Sequence, residues 1–374
     1  MKKLLCFLMT LVMLFSMTVM LTSCPAGKPD YKIGIITGSP IQGEEEYRTA
    51  QALRETYGDM IITATYPDNF AENPDGVTEV CTALAADPAV KAILWVQAID
   101  GAAAAIEKVR ETRKDILFIA GVCSDTPEAI SAAADICLQV DELSMGTTII
   151  DQAYAMGAAT FVHISFERHL DYATISARRD LLEENCKKLG ITYVKATAPD
   201  PAGEAGVEGA RAWIDENIRK YVDQYGKDTA FFSTNCALQA PLIRQCAQLG
   251  AIYPQQCCPS PFHGYPEAFG ISDVGHEGDV DYMLAQITAC VADFGNSGRM
   301  STWEVPVNMM MIEAGFRYAC RWAEGELTRR CDKTVLLDEM KEIAGSATTI
   351  SHYYDDASGE LENYFLILCP FYNF

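Results

Sequence analysis

Short, almost wholly apolar runs alternate with longer segments of helical spacing along most of this chain. The first run is Lys32-Ile33-Gly34-Ile35-Ile36-Thr37, and others follow at 60–65, 92–96, 116–120 and 136–140. Each has strand length and is apolar at nearly every position, as strands are when helices cover both faces of a parallel sheet. Between the first two runs, Tyr47, Ala50, Leu53 and Tyr57 fall on one helical face. Ser39-Pro40-Ile41-Gln42 predicts the start of that helix: a cap residue, proline at the first helical position and glutamine placed for a capping box. Asp125-Thr126-Pro127-Glu128 repeats the device. Asp141 is a cap candidate for a helix ending at Met156-Gly157.

A second alternating set begins at Ala159. Strands are predicted at 160–165, 191–196, 229–234 and 268–274. Helices are predicted on the face of Ile175, Leu182, Cys186 and Leu189, from Val207 to the stop at Gly226, up to Leu249-Gly250, and over 279–294. The tail predicts a strand at 303–307, helices at 309–324 and 335–343, and a last strand at 361–368. These pieces are too few for a third domain and are expected to cross back between two lobes. The expected division is an N-terminal lobe of residues 31–140 plus about 300–330 and a C-terminal lobe of 141–299 plus about 331–374. The fold class is α/β, with two Rossmann-like lobes, parallel sheets and a multi-strand hinge.

The first 24 residues follow a different rule. Lys2 and Lys3 form a basic head, residues 4–20 carry no charge, and Leu21-Thr22-Ser23-Cys24 follows. Basic head, apolar run and small-residue cut site are the parts of a secretory signal. The last four residues resemble the lipobox of bacterial lipoproteins, in which the chain is cut before the cysteine and the cysteine is acylated. The resemblance implies a signal peptide over 1–23, an acylated tether over 24–30 with its lipid on Cys24, and a body on the extracytoplasmic face of a cell membrane. An uncleaved anchor is the alternative, since the apolar run is nearly long enough to span a bilayer. Both leave the body outside the cytoplasm.

The formal net charge is −22. Removing Lys2 and Lys3 takes it to about −24. So acidic a surface repels phosphate backbones, which makes nucleic acid a poor partner. Of fourteen cysteines, Cys6 would leave with the signal and Cys24 would carry lipid, and the even count of twelve left outside the cytoplasm suggests disulfides by number. Their placement argues otherwise. Cys81, Cys137, Cys186, Cys246, Cys290 and Cys320 lie among apolar residues and suit core positions. A bridge between the adjacent Cys257 and Cys258 would be strained. Few or no disulfides are expected.

The order of elements resembles the type I periplasmic substrate-binding proteins, ribose-binding-like. Residues 31–38 are similar to that family's opening strand and binding loop. Val140-Asp141, Gly146 and Ala155-Met156-Gly157 before the strand at 160–165 resemble its crossing between lobes, and 309–323 its late returning helix. Residues 161–169 with Arg178-Arg179-Asp180, and Ser233-Thr234-Asn235-Cys236, resemble more closely an uncharacterised group of bacterial lipoproteins carried as a domain of unknown function. One departure is the segment 254–270, rich in Pro, Cys and aromatic residues.

In open parallel sheets, ligands bind beyond the carboxyl ends of the strands. The turns there are Thr37-Gly38-Ser39, Gln97 to Asp100 and Cys123-Ser124-Asp125 in the first lobe, and Phe166 to His169 with Thr234-Asn235 in the second. Asp100 and Asp125 can accept from hydroxyls, Arg168 can fork onto a carboxylate, and Phe166 can stack on a sugar or base. Plainer roles compete. Ser39, Asp125 and Asn235 suit helix caps. Arg168 can pair with Glu167 or Asp171, Phe166 suits the core, and His169 suits an ordinary surface or hydrogen-bonded position.

Enzyme chemistry finds little support. Cys123 lies where a nucleophile elbow would, but no Gly-x-Ser-x-Gly occurs and no histidine is evidently assigned to it. The chain has no C-x-x-C and no H-E-x-x-H, so neither a metal nor a cofactor is expected. The resemblance implies a monomeric substrate-binding lipoprotein that captures a small polar ligand, a sugar or nucleoside slightly favoured, for the permease of an ABC importer. The alternatives are a sensing module for a membrane receptor or kinase and, behind it, a lipoprotein enzyme.

Overall fold

The structure is a computed structural model that describes residues 30–355 and 359–374. The signal, the cut site and Cys24 lie outside the described residues. The first lobe runs β1 (Lys32–Thr37), α1 (Glu44–Tyr57), β2 (Ile61–Thr65), α2 (Pro74–Ala85), β3 (Val90–Val96), α3 (Ala102–Arg110), β4 (Leu117–Gly121), α4 (Pro127–Ala133) and β5 (Ile136–Val140). Next come α5 (Met145–Ala155), β6 (Thr160–Ser165), α6 (Glu167–Leu170), α7 (Ala173–Leu189), β7 (Thr192–Thr197), α8 (Gly206–Tyr225), β8 (Thr229–Ser233), α9 (Gln239–Leu249), α10 (Tyr265–Phe269) and α11 (Val280–Asp293). The tail holds β9 (Ser301–Trp303), α12 (Val307–Ala323), α13 (Lys333–Ala344), β10 (Thr349–Asp355), β11 (Gly359–Leu368) and β12 (Phe371–Asn373).

Among the described residues the first sheet has seven strands, in the order β10-β11-β5-β4-β3-β1-β2. All its pairings are parallel except β10 with β11. Burial explains the apolar runs. In β3, Ala92, Leu94 and Val96 enter one core layer and Ile93 and Trp95 the other. A strand covered on both faces has no polar side to show. The second sheet is β7-β6-β8, also parallel, with a bridge from Ala230 to Ile252 adding a fourth position. The backbone crosses between lobes after β5, after β9 and after β11.

Three expectations need correction. Residues 268–274 are not a strand: α10 ends there and irregular chain follows. Pro266 favours a helix start, and Gly270 at φ 69° ends it in a conformation a strand cannot use. The strand expected at 303–307 ends at Trp303, because Pro306 caps α12 instead. Residues 331–355 and 359–368 do not join the second lobe. α13 packs on α12, and β11 pairs with β5 in the register Phe365↔Leu138. Only the last residues go there: β12 pairs with β9, and Phe374 enters the second core.

Candidate functional site

Because β1 to β5 run parallel in the first lobe and β6 to β8 in the second, their carboxyl ends share one edge of each sheet. In the first lobe two such turns are tied together. Ala98 N donates to Gly121 O at 2.8 Å, and Ser124 N donates to Ala98 O at 2.9 Å. Val122, between them, sits at φ 52°, a strained region for a β-branched residue. Asp125 accepts from Gly101 N at 3.0 Å and Ala103 N at 2.8 Å. It therefore caps α3, while Thr126 caps its own helix, α4. Asp125→Ala should lower the unfolding free energy by about 1–2 kcal/mol in urea, and Asp125→Asn by less, because one acceptor survives. Gln97 is half-buried, Asp100 and Ser124 are exposed, and their side chains make no hydrogen bond among the described residues. Cys123 packs in the core layer that holds Trp95 and Phe118, beside Cys137 and Tyr364.

The turn after β1 is arranged differently from the expected cap. Thr37 is buried and its hydroxyl donates to Gly38 O. Ser39 donates to Asp68 at 2.6 Å, and α1 starts later, at Glu44, behind Gly43. The carboxylates of Glu44, Glu45 and Glu46 suit that helix start. Gly38 leaves room for Tyr66: a Cβ there would meet the Tyr66 hydroxyl at 2.7 Å. Tyr66 Oη and Glu46 Oε1 are both buried without a hydrogen-bond partner among the described residues. Burial raises the Glu46 carboxyl above its usual range and pushes the Tyr66 hydroxyl up to about 12. Buried polar atoms of this kind call for a partner. Nothing local marks these two residues, since Glu46 looks like an ordinary first-turn acid and Tyr66 like a strand-end ring.

In the second lobe the expected residues form one network. The Thr234 hydroxyl lies 2.9 Å from Ser165 Oγ and 3.1 Å from His169 Nδ1. Asn235 reaches His169 Nε2 at 3.4 Å and caps the following turn by accepting from Ala237 N. Burial, then the nearby Arg168 charge, lowers the His169 pKa and favours its neutral ring. Phe166 is buried, with the His169 ring 4.3 Å away and the Arg168 guanidinium 5.4 Å from its centroid. Arg168 forks onto Asp200 at 2.7 and 2.9 Å, rather than onto Glu167 or Asp171. Asp200 follows β7, 32 residues away, so no local pattern announces the pair.

The lobes meet across these edges. Glu45, at the start of α1, accepts from Ser260 Oγ at 2.5 Å and lies 3.4 Å from His263 Nε2. Beside this bridge, His263 Nδ1 sits 3.1 Å from Cys258 O. The sulfurs of Cys236, Cys257 and Cys258 lie 3.3, 3.6 and 3.8 Å apart. Hydrogen bonds from Cys257 and then Cys258 hold the Cys236 thiol well below its ordinary pKa, while those two thiols are raised. No metal is expected from the sequence, and this cluster is invisible there because two separate loops build it.

Residues 31–301 match the family described as Protein of unknown function (DUF3798). The chain belongs to that family. An uncharacterized protein of Treponema pallidum (strain Nichols) is 36% identical to the DUF3798 chain over 181 residues, 46% of this chain and 82% of its own. A second from the same organism is 34% identical over 170 residues, 46% of this chain and 79% of its own. A putative transcriptional regulator from Clostridium difficile 630 superposes with a TM-score of 0.85 at 23% identity, over 92% of the DUF3798 chain and 99% of its own. AraP, an arabinose binding protein from Geobacillus stearothermophilus, does so with 0.50 at 12%, over 83% and 93%. The shared feature is the two-lobed α/β fold of type I periplasmic binding proteins. No helix among the described residues is long and apolar enough to cross a membrane.

Proposed function

We propose that this chain is an extracytoplasmic substrate-binding lipoprotein that captures one small, neutral, polar molecule between its lobes. The observation that carries the reading is the meeting of the two strand-end edges at Glu45, Ser260 and His263, beside the buried, unpartnered Tyr66 Oη and Glu46 Oε1. Gln97, Asp100 and Ser124 supply further hydrogen bonds from the first lobe, and His169, Thr234 and Asn235 from the second. Arg168 is neutralised by Asp200, so an anionic ligand loses its anchor and a sugar or nucleoside fits better. Thr37, Asp125 and Phe166 support the walls.

No bond is made or broken in this reading. The closed form touches the ligand from both sides and the open form from one, and that difference in affinity drives closure. A monomer tethered through Cys24 delivers its ligand to an ABC permease. A sensing module is the second reading, favoured by the likeness to a protein named as a transcriptional regulator. The charge of −22 argues against this chain itself touching nucleic acid. Native mass spectrometry of the full chain, gently purified in detergent, tests the binding role. One bound small molecule per chain is expected. A bare chain that also gains no mass from a mixture of sugars and nucleosides would contradict it.

A further inference from the structure

We propose that Cys236, Cys257 and Cys258 form a three-thiolate site for a soft, zinc-class cation on the second lobe's wall of the cleft. The proposal goes beyond the binding role above and does not depend on it. Cys236 follows β8, and Cys257-Cys258 follow the stretch in which Ile252 bridges to Ala230 of β8. Parallel neighbours end at the same edge, so the topology itself brings the thiols together. Their three ligand atoms lie within 4.8 Å of one another.

The sulfur triangle has the size a metal requires. A zinc–sulfur bond of about 2.3 Å in tetrahedral geometry places sulfurs about 3.8 Å apart. The observed edges are 3.3, 3.6 and 3.8 Å, so two must open by about half an ångström or less to admit the ion. A disulfide would instead require the shortest edge to close to about 2.05 Å. Thiolates also select soft ions over calcium or magnesium.

The surroundings fit as well. Cys236 and Cys258 are exposed, which gives an ion a way in and leaves a fourth position open to solvent. Gln239 Nε2 donates to Cys257 Sγ at 2.6 Å, and His263 packs against the Cys258 carbonyl. Outer contacts of this kind hold metal ligands in place. By contrast, Cys81, Cys186, Cys246 and Cys369 are buried in the core.

The test titrates zinc alone into the reduced, anaerobic full chain against a chromophoric chelator. One ion per chain is expected. Cys236→Ser and Cys257→Ser should each weaken binding by more than about 100-fold, beyond the loss that removing an outer-shell partner brings. Cys290→Ser, on α11, should leave it unchanged. Cadmium titrated into the unmodified chain gives a readout that no folding defect can mimic, a sulfur-to-metal absorption of three-thiolate strength. Absence of stoichiometric zinc, zinc retained in both serine variants, or a Cys236–Cys257 disulfide persisting under reductant would each overturn the proposal. Because no sugar or nucleoside is present, failure here leaves the cleft reading standing, and failure of a ligand search leaves the metal result readable.

Discussion

Acidification from about pH 6.5 to about pH 4.5 is expected to cost the folded chain 2–3 kcal/mol through His163 alone, at about 1.36 kcal/mol per pH unit. His163 is buried on β6, stacked between Tyr193 at 6.1 Å and Phe232 at 6.2 Å. Burial first, and the Arg178 charge second, lower its pKa from 6.5 to about 3. The unfolded chain takes up this proton below pH 6.5 and the folded chain does not. Stability through this group is therefore complete above pH 6.5 and falls progressively toward pH 3. His169 acts with the same sign, being lowered too, and Glu46, raised by burial, acts with the opposite sign. Asp115 and Asp200, lowered to about 2, contribute only at lower pH. His163→Phe keeps the ring stack and removes the proton site. Urea unfolding at pH 7 and pH 4.5 should show the variant losing 2–3 kcal/mol less than the unmodified chain, by the same slope. Equal losses would show that His163 does not carry the effect.

Phe166→Ala should cost about 3–5 kcal/mol of stability, the range for truncating a buried aromatic ring. Phe166 is only 2% exposed, and its ring supports both His169 and Arg168. Its removal leaves a void beneath the His169 and Arg168 side chains. Phe166→Leu, which refills much of the volume, should cost markedly less. Denaturant unfolding of the two variants reads the difference. A loss under about 1 kcal/mol for the alanine variant would place the ring outside the core.

The strands were legible where burial on both faces leaves an unbroken apolar run. β1, β5 and β6 begin and end where the sequence places them. β10 was not legible, because it is an edge strand with polar positions such as Ser351 and His352. β12 has only three residues, too short for any periodicity. The placement of the candidate turns was legible because a parallel sheet fixes at which edge its strands end. The task of each side chain was not, because its partner is distant in sequence. Asp125 caps the helix behind Gly101, Arg168 meets Asp200, and Cys236 meets Cys257. None of these pairs has a spacing that a local pattern could reveal.

The most direct measurement is a thermal and urea stability screen of the purified chain against sugars, nucleosides, amino acids and vitamins. The expected result is that one neutral polar class, at 100 times its dissociation constant, adds about 2.7 kcal/mol, and that His169→Ala or Asn235→Ala abolishes the gain. No gain from any of the four classes, or a gain untouched by both variants, would contradict capture of a small molecule between the lobes.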